Sequence, residues 1–62
     1  MNKLNKFKIE TVILVLQKEI KELELRVEQH LKYDRVNIAI LYQEDISAIN
    51  EIIENLNETI SN

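Results

Sequence analysis

Residues 9–27 read IETVILVLQKEIKELELRV, and the spacing of the aliphatic residues in this stretch decides the fold. Ile9, Ile13, Leu16, Ile20, Leu23 and Val27 recur in alternating steps of three and four. That is the spacing of one face of an α-helix packed along another helix. With Ile13 at heptad position a, Ile20 and Val27 share that position, while Ile9, Leu16, Leu23 and His30 fall at d. Ile at a with Leu at d is a helical-seam pattern. The intervening Leu, Glu, Lys and Gln favour helix. The i,i+4 pairs Lys6–Glu10, Lys18–Glu22, Glu22–Arg26 and Glu28–Lys32 each add only about 0.2–0.5 kcal/mol.

The register fails after His30. Continued, it would place Asp34, Asn37 and Glu44 in the seam, which a single unbroken helix does not tolerate. A second row begins at Ala39 and runs through Tyr42, Ile46, Ile49, Ile53, Leu56 and Ile60. If the chain folds back, Ile9 meets Ile60, Ile13 meets Leu56, Leu16 meets Ile53 and Ile20 meets Ile49. Leu23 then meets Ile46, Val27 meets Tyr42, and His30 meets Ala39. Every such pair of positions has the same sum, as an antiparallel register requires. The reversal is centred between Asp34 and Arg35, where the pattern broke.

The predicted fold is therefore all-α. It is an antiparallel two-helix hairpin spanning 1–62 as one domain, with helix 1 at about 5–32, a turn at about 33–35 and helix 2 at about 35–60. Asp34 is read as the N-cap of the second helix, because its carboxylate can accept a backbone N–H. The turn has no glycine, so a residue near Tyr33 must carry an unfavourable backbone conformation. Charge supports the same orientation. Residues 1–32 hold seven Lys/Arg and five acids (+2), and residues 33–62 hold one Arg and six acids (−5). Folding back brings Lys3, Lys6 and Lys8 towards Glu51, Glu54 and Glu58.

A 62-residue chain buries too little surface to be comfortably stable alone, so a staple or a partner is expected. There is no cysteine to form a disulfide and no glycine to build a phosphate loop. Val12–Leu16 is the longest apolar run and is far shorter than the ~20 residues of a membrane span. The lysines ahead of it are followed by no small-residue cleavage site. The chain is read as soluble and cytoplasmic.

Apolar residues remain outside the seam. Leu4, Phe7, Leu14 and Val15 lie roughly opposite it on helix 1, with Leu25 further along, and these are assigned to binding a protein partner. Val12, Ile38, Leu41, Ala48 and Ile52 flank the seam and are assigned to a homodimer, two hairpins forming a four-helix bundle. Side chains with chemistry are few. His30 occupies a seam position without a nearby Ser, Cys or acid at triad spacing. Glu44, Glu51, Glu54 and Glu58 read as a solvated helical face. No catalytic residue, metal or cofactor is assigned, and the chain is read as a non-enzymatic interaction module, a regulator or inhibitor presenting a helical face. The alternative is a dimeric hairpin that binds RNA through Lys3, Lys6, Lys8, Lys18 and Lys21, against an acidic pI near 5.0.

Two resemblances bear on this choice. Ile46-Ser47-Ala48-Ile49-Asn50-Glu51-Ile52-Ile53 resembles the S-x-x-L-D-x-L-I signature of sporulation-type aspartyl-phosphate phosphatases, which are short helical hairpins. The signature serine falls on Ile46 and its acid on Asn50, so the activity is not carried over. In length and architecture the chain is also similar to the plasmid repressor-of-primer family, RNA-binding dimeric hairpins, without a matching binding face.

Overall fold

The computed structural model describes residues 5–61. Two helices pack against each other, α1 over Lys6–Lys32 and α2 over Val36–Ser61, joined by three residues. A connection that short forces α2 back along α1. Ile9, at the start of α1, accordingly clusters with Ile53 and Ile60 near the end of α2, and His30 meets Tyr42 beside the turn. No described helix is long and apolar enough to cross a membrane.

Helix α1 starts at Asn5, whose extended backbone (φ −88°, ψ 170°) lets its Oδ1 accept the Lys8 N–H at 2.8 Å. Its carbonyl accepts the Ile9 N–H at 3.0 Å. This satisfies donors that the first helical turn cannot pair internally.

The turn differs from the sequence expectation. Asp34 does not cap α2; it closes α1. The Asp34 N–H donates to the Leu31 carbonyl at 3.1 Å, and the Arg35 N–H reaches back to the His30 carbonyl at 2.8 Å. These are the two bonds of a Schellman C-cap, with Asp34 in the left-handed position at φ 60°. The position suits glycine, but aspartate is one of the few other residues that visit it. The unfavourable backbone expected near Tyr33 thus falls on Asp34. Helix α2 follows Arg35, whose carbonyl accepts the Ala39 N–H at 3.1 Å.

The predicted seam is the interior. Ile9, Ile13, Leu23, Val27, Ala39 and Ile53 are buried. Leu16, Ile20, His30, Tyr42, Ile46, Ile49, Leu56 and Ile60 are half-buried, and every other described residue is exposed. One pairing is refined. Ala39 offers no bulk to His30, and the imidazole instead stacks on Tyr42, with ring centroids 5.4 Å apart and planes 16° from parallel.

Candidate interaction surface

The two helices lie side by side as a single layer, within a Cα envelope of 47 × 20 × 14 Å. Such a slab has two broad sides and two outer edges, all open to solvent. Among the described residues, six hydrophobic side chains are buried while twelve large ones are exposed. Seven more hydrophobic side chains of the seam are half-buried, so about as many large apolar side chains face solvent as face the partner helix.

The two broad sides differ. One carries an open groove lined by Glu24, Val27, Gln43, Ile46, Ser47 and Asn50, and its rim is polar. By the helical period of about 100° per residue, the opposite side carries Lys8, Val12, Glu19 and Arg26 on α1 and the row Ile38, Leu41, Asp45, Ala48, Ile52 on α2. All of these are exposed, Leu41 at 61% and Ile52 at 49%. The row is apolar except for Asp45.

The outer edge of α1 carries Phe7, Leu14 and Leu25, exposed at 75%, 66% and 60%, with Val15 on its shoulder at 61%. Thr11 lies between Phe7 and Leu14. Its hydroxyl donates to the Phe7 carbonyl at 3.0 Å, so its hydrogen bond is made within the helix. Phe7, Thr11, Leu14 and Val15 form one patch. Leu25 stands apart from it, about 16 Å further along the axis, with Lys18, Lys21 and Glu22 between them. Leu4, assigned to the same strip, lies outside the described residues, as does Lys3.

The lysines are not gathered. Lys6 and Lys8 fall towards opposite broad sides of α1, and Lys18 and Lys21 lie at its outer edge, with Glu10, Glu19, Glu22 and Glu24 interleaved. Glu51, Glu54 and Glu58 stand in solvent along the outer edge of α2. Among the described residues no group of three His, Cys, Asp or Glu side chains is placed to hold a metal ion.

The turn end holds what the periodicity missed. The His30 Nδ1 accepts a hydrogen bond from the Arg35 Nε at 2.9 Å, and the same guanidinium lies 5.1 Å from the centre of the Tyr33 ring. Together with the Arg35–His30 backbone bond, this fastens the turn to the last layer of the seam. Leu31, Tyr33, Val36 and Ile40 are exposed around it. The i,i+4 pair Val36–Ile40 was the available signal, but it is too short a row to stand out from the longer seam. With its Nδ1 engaged by Arg35 and one face on Tyr42, His30 acts as a structural member of the turn.

Comparison of the chain with protein-family models, with curated proteins and with solved structures finds no match.

Proposed function

We propose that this protein is a small, non-enzymatic protein–protein interaction module of the cytoplasm, a regulator or inhibitor that works as a homodimer and presents a helical face to a protein partner. The observation that carries this reading is the twelve large apolar side chains that the hairpin leaves exposed. Their arrangement supports a division of labour. The broad side with Val12, Ile38, Leu41, Ala48 and Ile52 spans both helices, as the face between two hairpins of a four-helix bundle must. The Phe7–Leu14–Val15 patch lies on the outer edge of α1 and stays open after the broad sides have met, with Leu25 as a separate outlying contact.

Affinity capture with the full chain from its native host, set beside a Phe7→Glu/Leu14→Glu variant, tests the partner-binding part. The variant should stay helical and lose the partner recovered by the parent chain. Equal recovery by both would move the binding surface away from this patch. Sedimentation over a range of concentrations tests the dimer, and a monomer throughout would remove it.

A further inference from the structure

We draw no further inference here: the strongest candidate, the apolar row Ile38, Leu41, Ala48 and Ile52 on the α2 half of one broad side, is exposed in the hairpin, and nothing in the structure shows what covers it.

Discussion

Asp34 is held at φ 60°, where its Cβ crowds the backbone and where glycine sits without that penalty. Asp34→Gly should therefore raise stability by roughly 0.5–1 kcal/mol, read as a higher denaturation midpoint with an unchanged slope. A lower midpoint would show that the aspartate makes a compensating contact. At the other end of α1, the Asn5 side chain pairs the Lys8 N–H. Asn5→Ala leaves that donor without its cap and should cost about 1 kcal/mol in the same measurement. The sequence pointed to Asp34 as an N-cap because aspartate is among the residues preferred there. Whether it opens one helix or closes the previous one depends on a single backbone angle. That angle was settled by the bonds from Asp34 and Arg35 back to Leu31 and His30.

At the scale of the helix, position within the period decides the effect of a charge. Leu16 and Leu14 are two residues apart in α1, yet Leu16 is half-buried in the seam and Leu14 is 66% exposed on the outer edge. Leu16→Asp buries a carboxylate against the α2 row without a counter-charge. That costs several kcal/mol, comparable to the whole stability of so small a domain. Circular dichroism should show loss of helicity and of the cooperative melt. Leu14→Asp should keep both. If the two variants behaved alike, the seam would not be the element that holds the fold. The seam was legible without coordinates because its signal is a repeated one. Each of its pairs votes for the same register, and one polar exception, His30, does not disturb the rest. The Arg35–His30–Tyr42 arrangement was not legible, since it rests on single side chains crossing the turn.

For the molecule as a whole, two helices in a single layer cannot enclose their own apolar side chains. If the broad side is covered by a second copy, the melting temperature should rise with protein concentration, because dimerisation stabilises only the folded chain. A melting temperature independent of concentration over two decades would speak for a stable monomer. The competing RNA reading makes its own demand, a gathered basic face, and the lysines of α1 are distributed around the helix with glutamates between them. Titration with random RNA should accordingly show no salt-dependent affinity, whereas a steep salt slope would revive that reading.

The sequence by itself determined the two helices, the reversal between them and the residues that make up the seam, because helical period and antiparallel register are arithmetic properties of the chain. The ladder from Ile9 to Val27 admits one partner row, and that row is present. What only the tertiary structure decided is which residues stay outside and how they are grouped. It separated a broad side marked by Glu24, Gln43 and Asn50 from one that carries Ile38, Leu41 and Ile52 on its α2 half. It also passed the strained turn position to Asp34 and tied His30 to Arg35 and Tyr42. The physical reason is that periodicity assigns a side chain to a face of its own helix, whereas a surface is built from the faces of two helices, and their relation exists only once they are packed.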